Sequence, residues 1–96
     1  MITCRILAVG NKSNLDAFVA SENWPSTFQA LELLESSPRR WLWQFEAPRV
    51  PVAFLRSASL RHPRLSLVLD FDTGRAKGIV GVEAGRVRRC LLRYLP

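Results

Sequence analysis

A two-layer α+β fold, with one antiparallel sheet and two helices on a single face, is what this 96-residue sequence predicts, and three observations carry it. Leu65, Leu67, Leu69 and Phe71 alternate with Ser66, Asp70 and Asp72, the period-2 rhythm of a half-buried strand. Trp41, Trp43 and Phe45 alternate with Leu42, Gln44 and Glu46 in the same way, with large rings on one side. Between these strands, prolines bracket a short apolar run whose spacing is helical.

Taken in order, Ile2, Cys4, Ile6 and Ala8 alternate with Thr3, Arg5, Leu7 and Val9 until Gly10, which predicts a largely buried first strand. Asn11 to Ser13 is a turn. Ser13, with Asp16 three residues on, resembles a capping box for a helix whose apolar face is Leu15, Phe18 and Val19. Trp24-Pro25 ends that helix, because the residue before a proline is pushed out of helical geometry. Residues 28–35 have helix-favouring composition but are short and lie between Pro25 and Pro38, so they read as an extended segment or a turn or two of helix.

The Trp41 strand stops at Pro48. Pro51, Val52, Phe54, Leu55 and Ala58 then give a second helix that must end before His62-Pro63. After the Leu65–Phe71 strand, Asp72-Thr73-Gly74 supplies a tight connection, and Lys77 to Glu83 returns as its hairpin partner. Gly78 and Gly81 in that partner mark a bulge or a close approach of backbone. Residues 85–96 alternate poorly as a strand. As a helix they place Val87, Leu91 and Tyr94 on one face and Arg86, Arg89 and Arg93 on another, so a helical basic tail is expected.

Two helices of this length cannot cover both faces of a four-stranded sheet. Both therefore belong on one face, as in a ferredoxin-like split βαβ sandwich forming one domain over residues 1–96. With the Trp41 and Leu65 sides turned to the helices, the opposite face carries Leu42, Gln44, Glu46, Ser66, Val68 and Asp70. That mixture is too apolar for an ordinary wet surface and too polar for a core. Leu42, Gln44, Ser66 and Val68 are thus candidates for an interface, with a homodimer as the expected assembly and the tail as another possible cover.

Charge is unevenly distributed. Residues 1–37 hold two basic and four acidic side chains, net −2, and residues 38–96 hold twelve basic and four acidic ones, net +8. Eleven of those twelve cations are arginine, whose planar fork suits phosphate and carboxylate. Arg86, Arg88, Arg89 and Arg93, with Arg39 and Arg40 as further candidates, could bind nucleic acid or another acidic partner. A solvated cationic face is the simpler account of the same pattern.

Other chemistry finds little support. Asp70, Asp72 and Glu46 could share a sheet face, but no histidine or fourth ligand joins them, so no metal site is expected. His62, the only histidine, sits between Arg61 and Pro63 and reads as a loop residue rather than a general base. The glycines occupy hairpin positions, not the strand-to-helix junction that cradles phosphates, so no nucleotide or other cofactor is expected. The tryptophans fit core packing better than base stacking, because the strand Leu65–Leu69 offers no aromatic partner for a bound base. Cys4 and Cys90 lack metal or redox spacing and read as free thiols. No run approaches the roughly 18 apolar residues of a membrane span, and the first residues lack the layout of a secretory signal, so a cytoplasmic location is expected.

Trp-Leu-Trp-Gln-Phe-Glu-Ala-Pro-Arg-Val-Pro at 41–51, His-Pro-Arg-Leu at 62–65, and Asp-Phe-Asp-Thr-Gly at 70–74 followed by Gly78 together resemble the YubB-type ferredoxin-like domain family of plasmid and phage proteins. The first strand closing at Val9-Gly10 is similar as well. The resemblance implies a ferredoxin-like fold and a mobile-element setting; no catalytic role comes with it. The expected function is that of a non-enzymatic accessory or protein-interaction module, the alternative being a nucleic-acid-binding protein that uses the C-terminal arginines.

Overall fold

The strand rhythm fixes which side of each strand is buried, and the sheet follows from it. In the computed structural model, which describes residues 1–94, the elements run β1 (Ile2–Val9), α1 (Lys12–Ser21), β2 (Gln29–Ser36), β3 (Arg40–Ala47), α2 (Val52–Arg61), β4 (Ser66–Asp72), β5 (Ala76–Glu83) and β6 (Arg86–Tyr94). All strand pairs are antiparallel, in the spatial order β2-β3-β1-β4-β5-β6. No helix among the described residues is long and apolar enough to cross a membrane.

Six strands replace the four expected. Residues 29–36, one of whose two sequence readings was extended, form edge strand β2, with two register shifts against β3. The larger correction is at the C-terminus: residues 86–94 are a strand and not a helix, while residues 95 and 96 of the expected tail lie outside the described residues. The reason is the turn before it. Glu83 and Arg86 are register partners across Ala84 and Gly85, which both adopt positive φ (49° and 77°), the two-residue hairpin geometry that matches strand twist. Ala-Gly is a weaker signal for that turn than Asn-Gly, so the hairpin was hard to see. Helix α2 secures it from behind: Ser59 Oγ accepts from Gly85 N at 2.7 Å, and Arg56 Nε donates to Gly85 O at 3.1 Å. Pairing with β6 also covers the edge of β5, which carries Ile79, Val80 and Val82.

Both helices lie on one face. Leu15 and Phe18 of α1 and Leu55 and Ala58 of α2 share a single core with Cys4, Ile6 and Ala8 of β1, Trp43 and Phe45 of β3, and Leu67, Leu69 and Phe71 of β4. A ring cluster closes one end of this core, with Phe28 stacked on Phe45 at 4.1 Å and Trp24 set against Trp43 and Phe54. Asn11, and not Ser13, caps α1: its Oδ1 accepts from Asn14 N at 2.9 Å. Helix α2 starts after Pro51 and ends at His62, as the prolines require. Gly78 lies flat beneath the Phe71 ring, where any Cβ would collide with it, and Gly81 sits at the register shift between β5 and β6.

Candidate interaction surface

The helix-free face is assembled row by row from the strand register. Its central row runs Glu35 (β2), Leu42 (β3), Leu7 (β1), Val68 (β4), Gly81 (β5) and Arg89 (β6). The next row toward the start of β1 runs Glu32, Gln44, Arg5, Asp70, Ile79 and Leu91. Beyond it lie Gln29, Glu46, Thr3, Asp72, Lys77 and Arg93. The expected interface residues Leu42, Gln44, Ser66 and Val68 all fall on this face and are half-buried, and Leu7, which the sequence left aside, sits between Leu42 and Val68. Leu42, Leu7 and Val68 thus form an apolar centre, with glutamates toward the β2 edge; toward the β6 edge Ile79 and exposed Leu91 are interleaved with arginines.

The predicted cationic set divides. Arg86, Arg88, Arg89 and Arg93 lie along β6, all exposed, with Arg88 unpaired at the register shift. Arg39 and Arg40 are not their neighbours. Arg40 opens β3, four strand positions from β6 or roughly 19 Å across the sheet, and its Nε is 3.3 Å from Glu35 Oε1. The acidic residues are likewise interleaved with cations: Lys77 Nζ is 3.7 Å from Asp72 Oδ2, and Arg5, which donates from Nε to Gln44 Oε1 at 2.8 Å, lies beside Asp70 in register. Asp72 also closes its turn by accepting from Gly74 N at 2.8 Å. Among the described residues no three His, Cys, Asp or Glu side chains are placed to hold a metal ion.

His62 has partners the sequence did not reveal. Its Nε2 is 3.0 Å from Glu22 Oε2 and 3.2 Å from Ser21 Oγ, and its ring stands edge-on to Phe18. Arg61 donates to both oxygens of the same carboxylate, whose side chain is only 2% exposed. The hydrogen bonds from Arg61 hold the Glu22 carboxyl below its ordinary range; burial opposes that shift, and the positive charge of Arg61 and the contact with His62 reinforce it. Serine, histidine and carboxylate are thus together, but both partners meet the same ring nitrogen. A nucleophile relay needs the serine on one nitrogen and the acid on the other. The group reads as a clip between the end of α1 and the end of α2. Glu22, at the helix C-cap, carried no signal in the sequence beyond its charge.

Cys4 is buried and Cys90 exposed, three strand positions apart or roughly 14 Å, too far for a disulfide. No family model, no curated protein and no solved structure matches the chain.

Proposed function

We propose that this chain is a non-enzymatic protein-interaction module of ferredoxin-like type, whose β1-α1-β2-β3-α2-β4 segment is the split βαβ unit and whose β5–β6 hairpin widens the sheet. The spatial order β2-β3-β1-β4 of the first four strands supports that assignment of fold. The setting in a mobile genetic element belongs to the same proposal and rests on the residues at 41–51, 62–65 and 70–78, and a cytoplasmic location is proposed with it.

One observation carries the interaction reading: an uncovered sheet face whose half-buried apolar centre, Leu7, Leu42 and Val68, is framed by charge of opposite sign at its two sides. A surface built only to stay in water has no use for that centre, whereas a protein interface has an apolar middle and a polar rim. The second reading, nucleic-acid binding, is favoured by the four exposed arginines of β6.

Anisotropy titrations with generic single- and double-stranded DNA and RNA over a range of salt separate the two. The interaction module shows no binding at physiological salt. Binding that weakens steeply with salt, and whose salt slope falls by about one for each of Arg89 and Arg93 replaced by Ala, would establish the nucleic-acid reading instead.

A further inference from the structure

We propose that the occupant of the helix-free face is a second copy of this chain, stacked face to face about a two-fold axis that runs parallel to the strands between β1 and β4. The inference rests on the interaction reading above and adds the identity and geometry of the partner. Six strands place β1 and β4 third and fourth in the sheet, so this axis passes through the middle of the face. It sets β1 over the partner's β4, β3 over the partner's β5, and β2 over the partner's β6.

The register then decides what meets what. At the centre Leu7 faces the partner's Val68, and Arg5 faces the partner's Asp70. One strand out, Glu46 faces the partner's Lys77 and Arg40 faces the partner's Glu83, while Leu42 lies over the partner's Gly81, which offers no side chain to obstruct it. At the rim Glu35 faces the partner's Arg89. No row of this arrangement opposes like charges. The other aligned stacking, with the axis across the strands, lays each strand over its own copy, and so sets the β6 arginines over each other and the β2 glutamates over each other. Like charges across an interface disfavour that arrangement, so the charge pattern selects one of two otherwise equivalent dimers.

Size and shape agree. Six strands of seven to nine residues present roughly 700 Å² of flat area, close to the ~800 Å² per partner of a standard interface. An axis parallel to the strands also leaves the two sheets aligned, as in sandwich packing. The contact is isologous, so every pair occurs twice.

That duplication gives a test needing only mild surface changes. In E46K, two attractive contacts become Lys opposite Lys77; in K77E, they become Glu opposite Glu46. Each variant alone should dimerise at least about tenfold more weakly than wild type in sedimentation equilibrium, with unchanged circular dichroism. An equimolar mixture of the two restores dimer, because Lys at 46 in one chain then meets Glu at 77 in the other, and the native Glu46 and Lys77 meet at the symmetric position. L7R, which puts a charge opposite the partner's Val68, gives a monomer that no mixture rescues.

Wild type dimeric, both variants weakened and the mixture restored is the expected result. A mixture as weak as its components overturns the geometry. A wild type that stays monomeric up to about 1 mM overturns the second copy altogether. If that monomer also binds no nucleic acid, the interaction reading survives with a different partner; if it binds DNA or RNA through Arg89 and Arg93, both readings fall.

Discussion

The two faces of this sheet are made by the same strands and differ in what they leave to be covered. Along β1, Cys4, Ile6 and Ala8 are fully buried under the helices, while the intervening Thr3, Arg5 and Leu7 stay exposed or half-buried on the other side. One face is closed by residues that agree only in being apolar and about the right size. The other carries a specific arrangement of charge around a small apolar centre. Apolar burial is non-directional and sets stability, whereas opposed charges fix orientation and register. The difference teaches that the helix face holds the fold, while the open face carries the charge pattern on which the proposed pairing rests.

The largest effect that could break this comparison comes from truncating the covered side. Phe45 is 0% exposed and stacked on Phe28, so Phe45→Ala should cost about 3–5 kcal/mol in urea unfolding, near the whole stability of a small domain. On the same sheet but the opposite face, Ser66→Ala should change stability by no more than about 0.5 kcal/mol at matched protein concentration. Comparable losses at the two positions would show that the faces do not divide the work as described.

An intermediate effect belongs to the clip joining the two helix ends on the covered side. Glu22 has its pKa lowered by the hydrogen bonds from Arg61, so its share of stability is complete above the carboxylate's unfolded value and is lost as pH falls through the lower folded value. Stability should therefore decline on acidification below about pH 4.5, and Glu22→Gln should flatten that decline. At neutral pH Glu22→Gln should cost about 1–2 kcal/mol, held down because Arg61 is 53% exposed and can turn to water. Parallel acid profiles for wild type and variant would remove Glu22 from the account.

What could be read from the sequence follows the same division. Period-2 alternation is strong in β1, β3 and β4 because each has a dry side and a wet side, and those strands, with the face they bury, were legible. Strands β2 and β6 were not, because they are edges. Seven of the eight residues of β2 and all nine of β6 are exposed, so nothing in their surroundings imposes a rhythm on the sequence. Their pairing comes from tertiary context: the Ala84-Gly85 turn held by Ser59 for β6, and an irregular register for β2. Four of the interface candidates, Leu42, Gln44, Ser66 and Val68, were legible from parity alone. Their relation to Glu35, Arg89 and Lys77 needed the strand order, which no local pattern contains.

The smallest effect in energy gives the sharpest outline of where the covered face ends. Cys90 pairs in register with buried Val80 and so points to the helix side of the sheet, yet it is exposed; Cys4, on the same side three strands inward, is 0% exposed. The helical layer thus meets β6 only near its start, beside Gly85, and stops short of Cys90. Burial, with a smaller contribution from Asp70, pushes the Cys4 thiol up to about 11, so at pH 8 roughly one molecule in a thousand carries the thiolate, before access is considered. Ellman's reagent at pH 8 should therefore titrate one thiol promptly and the second only on unfolding. Cys90→Ser should abolish the prompt phase and Cys4→Ser should leave it intact. Two thiols reacting promptly in the native protein would mean that the cover over β1 opens readily. A prompt phase that survives Cys90→Ser would place the boundary of the helical layer on the wrong strand.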